Sequence, residues 1–178
     1  MTAPSDSTRR ASVASRPEPS APQTARQSLN DHAAAKGAEI HDKFGPRIGW
    51  PELLRILDDR NCVRYPCEIA FDAAPLLPGE LAHPVAKGAR PEDGFRLHVH
   101  PLLLSQLDRV CYPVLYQLVV VNYGPFASAD DAEAFGAQAL GISTEEYYQT
   151  LCQMTDALAH AQRGPCSSPP PDGLARTS

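Results

Sequence analysis

No Lys or Arg stands between Arg109 and Arg163, although Asp130, Asp131, Glu133, Glu145, Glu146 and Asp156 all fall in that interval. A phosphate backbone docks on a basic face, so this absence argues against nucleic acid as a partner of the folded body. No run reaches the roughly eighteen uninterrupted apolar residues of a membrane span, and MTAPSDSTRRASVASRPEPSAPQTARQS has no apolar core of the kind a secretory signal needs. The expectation is therefore no membrane partner and a cytoplasmic location. The five Cys are an odd number; without a secretory signal they fit free thiols in a reducing compartment better than a disulfide framework. A Gly-rich phosphate loop is missing as well, since Gly79, Gly88 and Gly94 are scattered through a proline-rich connection with no helix start behind them. Cys111 with His98 is a nucleophile pair on paper only, because no elbow or oxyanion-type glycine turn accompanies it.

What remains is a chain of 178 residues, 43% apolar, with a formal net charge of −5: the size and composition of one domain with tails. The first thirty residues carry Arg9, Arg10, Arg16 and Arg26 against Asp6 and Glu18, which leaves the rest more acidic still. They also resemble an organelle transit peptide, but Pro17, Pro19 and Pro22 would break its amphipathic helix, and disorder is the expectation. The C-terminal RGPCSSPPPDGLARTS is Pro/Ser-rich. The division expected is a disordered tail over 1–37, one α+β domain over 38–162, and a second disordered tail over 163–178.

Within the body, WPELLRILDDR reads as a short amphipathic helix, with Pro51 in its first turn and Leu53, Leu54, Ile56 and Leu57 as its stripe. CEIAFDA alternates as a half-buried strand, with Cys67, Ile69 and Phe71 inward. LAHPVAKGARPEDG predicts a ragged edge strand and a turn at Glu92-Asp93-Gly94. FRLHVHP predicts a strand with Phe95, Leu97 and Val99 inward and Arg96, His98 and His100 outward. VLYQLVVVNYG is ambiguous: its Val residues favour a strand, while the long stretch without a turn, Pro113 before it and Gly124-Pro125 after it favour a buried helix capped by Asp108. Ser128 with Asp131, and Ser143 with Glu146, each mark the capped start of a helix. The first ends at Gly141, and the second carries the stripe Tyr147, Leu151, Met154 and Leu158. A small antiparallel or mixed sheet on about four helices follows.

Three segments resemble the minimal zincin-like domain of gluzincin-type metallopeptidases, over roughly Glu52 to Leu140. GFRLHVHPLL is similar to that group's edge strand, VLYQLVVV to its active helix V-L-Y-H-E-L-x-H, and DDAEAFGAQALG to the helix bearing its third, acidic ligand. The resemblance places Gln117 and Val121 where the metal-ligating His residues would stand and Leu118 where the catalytic Glu would stand. None of the three can do that chemistry. Asp131 occupies the acidic ligand's place. The implied function is non-catalytic: a protein-binding or regulatory protein on a degenerate scaffold, contacting partners through the sheet edge near Phe95 to His100 and through the acidic helices, with Arg96, Asp131 and Tyr148 as surface residues. Enzyme activity is not expected.

The alternative starts from His98 and His100, which point the same way from one strand and can chelate zinc if Cys62, Cys67, His83 or Asp131 converges on them. That reading gives a metal-binding protein or a hydrolase. Against it, C-V-R-Y-P-C is not a zinc-knuckle or redox spacing, and Cys67 belongs to the inward face.

Overall fold

The computed structural model describes residues 21–163, and its first element has almost no signal in the sequence: a helix of 24 residues, α1, Ala21–Phe44. The ordered body thus reaches back at least to Ala21, not to Ala38; residues 1–20 and 164–178 lie outside the described residues. α1 was hidden because, among the described residues, it buries only Ala33, Gly37, Ile40 and Phe44 while it runs along α4 (Ala129–Leu140). At Gly37 an added Cβ would lie 2.3 Å from the carbonyl oxygen of Phe135, so the two helices touch almost backbone to backbone.

α2 (Trp50–Asp58) begins as its sequence predicts, with Pro51 in the first turn and the Glu52 carboxylate accepting from the Gly49 N–H at 3.1 Å. Leu53, Ile56 and Leu57 are buried, while Leu54 turns outward at 41% exposure.

Three strands make one mixed sheet: β1 (Cys67–Phe71), β2 (Ala82–Ala86) and β3 (Phe95–Val99), in the order β1-β3-β2, with β1 parallel and β2 antiparallel to β3. β3 is therefore the central strand. The surface expected near Phe95 to His100 is no free edge, because both of that strand's flanks are paired; the edges are β1 and β2. Pro84 sits in β2, where a missing N–H is tolerated. Leu97 and Val99 are buried as expected, and Arg96 on the other face pairs with Glu68 at 2.6 Å. His98 departs from its predicted exposure: it is only 8% exposed.

The ambiguous segment is a helix, α3 (Cys111–Tyr123), with Pro113 in its first turn and Gly124 at φ 68 ending it. Its cap is not Asp108: Leu107–Arg109 forms a 3-10 turn and Val110 occupies the cap position without a side-chain bond. Val114, Leu115, Leu118, Val119 and Val121 are buried, at roughly 1.5–3 kcal/mol of hydrophobic stabilisation for each well-buried aliphatic side chain.

α4 carries the predicted box, Ser128 Oγ accepting from the Asp131 N–H at 3.2 Å, and ends on left-handed Gly141. α5 (Thr144–Arg163) starts with Ser143 Oγ accepting from the Glu146 N–H at 3.1 Å. Tyr147 is fully buried, stacked on Tyr112 at 5.8 Å, and its hydroxyl donates to the Tyr112 carbonyl at 2.7 Å. Among the described residues no helix is long and apolar enough to cross a membrane.

Candidate functional site

β2, α3, α4 and α5 enclose a cleft of about 330 Å³. Its rim begins at the sheet edge. The Leu81 carbonyl accepts from the His100 N–H and the Lys87 N–H donates to Gly94, both at 2.9 Å. In an antiparallel pleat the odd-numbered residues of β2 thus bond β3, and Ala82, Pro84 and Ala86 turn their backbone groups outward. Gln117 reaches across from α3 and donates its amide to the Ala82 carbonyl at 2.9 Å. A side chain occupies the first outward acceptor and Pro84 has no donor to offer, so this edge is poorly suited to adding another strand.

Carboxylates stand on three walls. Glu80, before β2, accepts from the Leu77 N–H at 2.8 Å and lies 3.6 Å from His83 Nδ1. Glu133, from α4, is partly buried; burial, then Asp130 and Glu145, push its carboxyl above the ordinary range, and no Lys or Arg lines the cleft around it. Asp156 projects from α5 on the same side as Tyr148 and Cys152, one helical turn apart from each other. Tyr116 is half-buried, and its hydroxyl is pushed up by burial and then by Glu133 and Asp130. Tyr148 is 49% exposed, and the neighbouring Cys152 thiol pushes its hydroxyl up. The floor is apolar, with Leu81, Pro113 and Leu151.

The residues singled out by resemblance are only partly brought here. Gln117 lines the cleft, but Leu118 at 0% and Val121 at 2% exposure belong to the core. The outward stripe of α3 is instead Tyr116, Gln117 and Val120, one residue out of phase with the positions the motif needs. Asp131 is not a surface residue: it is 5% exposed, accepts from the Ser128 N–H and hydroxyl at 2.8 Å, and from Asn30 at 3.2 Å. That is a helix cap tied to α1. Of the expected surface residues, Tyr148 lines the cleft and Arg96 is exposed but held in its pair with Glu68.

The residues of the histidine alternative are likewise held apart in this structure. His98 sits opposite His83 across the β2–β3 ladder, with Nδ1 3.5 Å from Asp72 Oδ2 but no hydrogen bond. His100 has left the strand, and its Nδ1 accepts from the Leu102 N–H at 3.3 Å. Cys62 donates to Asp59 at 3.4 Å, and burial pushes the Cys62 and Cys67 thiols up to about 11. Among the described residues no group of three or more His, Cys, Asp or Glu is arranged to hold a metal ion. Glu80, Tyr116 and Cys152 were not anticipated, and Glu133 and Asp156 were read only as members of the acidic stretch; the spacing of Tyr148, Cys152 and Asp156, one turn apart on α5, was a further signal.

No protein-family model matches the chain, and neither curated proteins nor solved structures give a match.

Proposed function

We propose that the chain is a non-catalytic protein-binding or regulatory protein on a degenerate zincin-like scaffold, working in the cytoplasm, and that a segment of its partner docks in the cleft between β2 and the helices α3, α4 and α5. One observation carries the reading: where the resembling hydrolases would present a metal-ligating His, Gln117 is bonded to the rim of the cleft, while Leu118 and Val121 are spent on the core. An open cleft with an apolar floor and a few convergent polar groups is a binding feature. At about 330 Å³ it has room for one or two side chains of a docked segment. Unpaired Cys62, Cys67, Cys111 and Cys152 support the reducing location.

The test is a peptide-display selection on the purified protein, followed by binding measurements with Tyr148→Ala and Tyr116→Ala variants. Enriched peptides that lose affinity for both variants support the cleft; peptides indifferent to both place the contact elsewhere. A peptide-cleavage assay and metal analysis of untagged protein run beside it. Turnover, or stoichiometric zinc lost on changing His98 and His100 to Ala, would overturn the non-catalytic, metal-free reading.

A further inference from the structure

We infer that the partner segment is basic and that the cleft receives an Arg or Lys side chain; this rests on the cleft being the docking site. Glu80, Glu133 and Asp156 face the cavity from three different elements, and no Lys or Arg lines it. The walls made by α3, α4 and α5 come from a stretch in which the chain has no cation at all. Glu133 is the informative member. It stands partly buried beside Asp130 and Glu145, and no Lys or Arg lines the cleft, so its charge is opposed in the free protein and would be relieved by an incoming cation.

The remaining lining fits the rest of such a side chain. Leu81, Pro113 and Leu151 give apolar surface for the methylene stem, and Tyr116 and Tyr148, which also line the cleft, are aromatic side chains of the kind that attract a cation. A guanidinium, planar and able to bridge two carboxylates, uses this arrangement better than an ammonium, so Arg should outrank Lys. Strand addition along β2 is not the mode of docking, because Gln117 already holds the Ala82 carbonyl and Pro84 lacks an N–H.

The experiment is fluorescence anisotropy on the full chain with three labelled peptides of one scaffold, differing only in whether their central residues are Arg, Gln or Glu. The Arg peptide is expected to bind at least about tenfold more tightly than the Gln peptide, the Glu peptide most weakly, and the preference should shrink in high salt. Glu133→Gln and Asp156→Asn should each weaken the Arg peptide severalfold with unchanged circular dichroism, whereas Glu92→Gln, on the exposed loop before β3, should not. If the Gln or Glu peptide binds as well as the Arg peptide and Tyr148→Ala abolishes it, the basic-ligand inference falls and the docking cleft stands. Arg-peptide binding that ignores Glu133→Gln and Asp156→Asn overturns the inference as non-specific surface attraction. No binding by any peptide overturns the inference and removes the cleft's support together.

Discussion

Installing the full His-Glu-x-x-His motif at Gln117, Leu118 and Val121 should unfold the protein rather than create a zinc site, and the decisive substitution is Leu118→Glu. Leu118 is 0% exposed. Exchanging its side chain for one that gains nothing from burial forfeits about 2 kcal/mol of hydrophobic stabilisation. The new carboxyl must also be held neutral in the core at pH 7; an acid of ordinary pKa about 4.3 then costs about 4 kcal/mol, at 1.36 kcal/mol per pH unit. Together about 6 kcal/mol is lost, as much as the whole stability of many domains. The sign with pH follows from the raised pKa of the folded form. The electrostatic part of the loss is about 4 kcal/mol at pH 7 and fades as pH falls toward about 4.3, where the unfolded chain also takes up the proton. Urea unfolding of parent and variant at pH 7 and near pH 4.5 reads this directly: the gap between them should be wide at the first and narrower at the second. Gln117→His, at the cleft, and Val120→His, at a position 38% exposed, should each stay within about 1 kcal/mol of the parent. A Leu118→Glu variant with the parent's midpoint at pH 7, or a folded triple variant binding stoichiometric zinc, would refute the placement of Leu118 in the core.

Gly37→Ala should cost about 1–3 kcal/mol, because its Cβ would press to 2.3 Å from the Phe135 carbonyl; faster hydrogen exchange along α1 would show the loosened contact, and unchanged exchange and stability would deny it. Tyr147→Phe removes the 2.7 Å bond to the Tyr112 carbonyl from a fully buried site and should lower stability by about 1–2 kcal/mol in a urea titration; a neutral result would mean that the bond contributes nothing. Of the four described thiols, Cys152 should react first with a thiol reagent followed by mass spectrometry, since Cys62 and Cys67 are pushed up to about 11 and Cys111 to about 12; equal rates at Cys111 would contradict its burial. Glu133→Gln should raise the melting temperature slightly at pH 7, because a carboxyl with a raised folded pKa destabilises the fold once ionised. The gain should vanish as pH falls below the ordinary value of 4.5, and a lowered melting temperature at pH 7 would show that Glu133 has a stabilising partner.

Elements whose signals are local were legible. Pro51, the Ser128-Asp131 and Ser143-Glu146 boxes and the Gly141 stop each act within a turn of their own position, and α2, α4 and α5 stand where those residues put them. In α3 the strand-favouring Val119–Val121 competed with Pro113 and Gly124, and burial on most sides decided for the helix. α1 escaped because packing through Gly37 and Ala33 leaves no broad apolar stripe to read. The rank of β3 in the sheet also escaped. Alternation tells which face of a strand is inward but not how many neighbours it has, and β1 reaches its parallel place beside β3 only through the tertiary fold.

The same limit explains the cleft. An all-round apolar helix has no visible phase, so pattern matching could set Gln117, Leu118 and Val121 against a catalytic motif without revealing that only the first of them faces outward. Phase is set by what packs on the helix: Leu118 and Val121 go to the core, leaving Tyr116 and Gln117 for the cleft. The carboxylates that meet there come from the loop before β2, from α4 and from α5, too far apart in sequence for any spacing to unite them. One signal did survive in the linear chain. A stretch without a single Lys or Arg, from Val110 to Gln162, supplies every cleft wall except the one made by β2 and the loop before it, so walls lacking their own cation were written into the sequence before the fold brought them together.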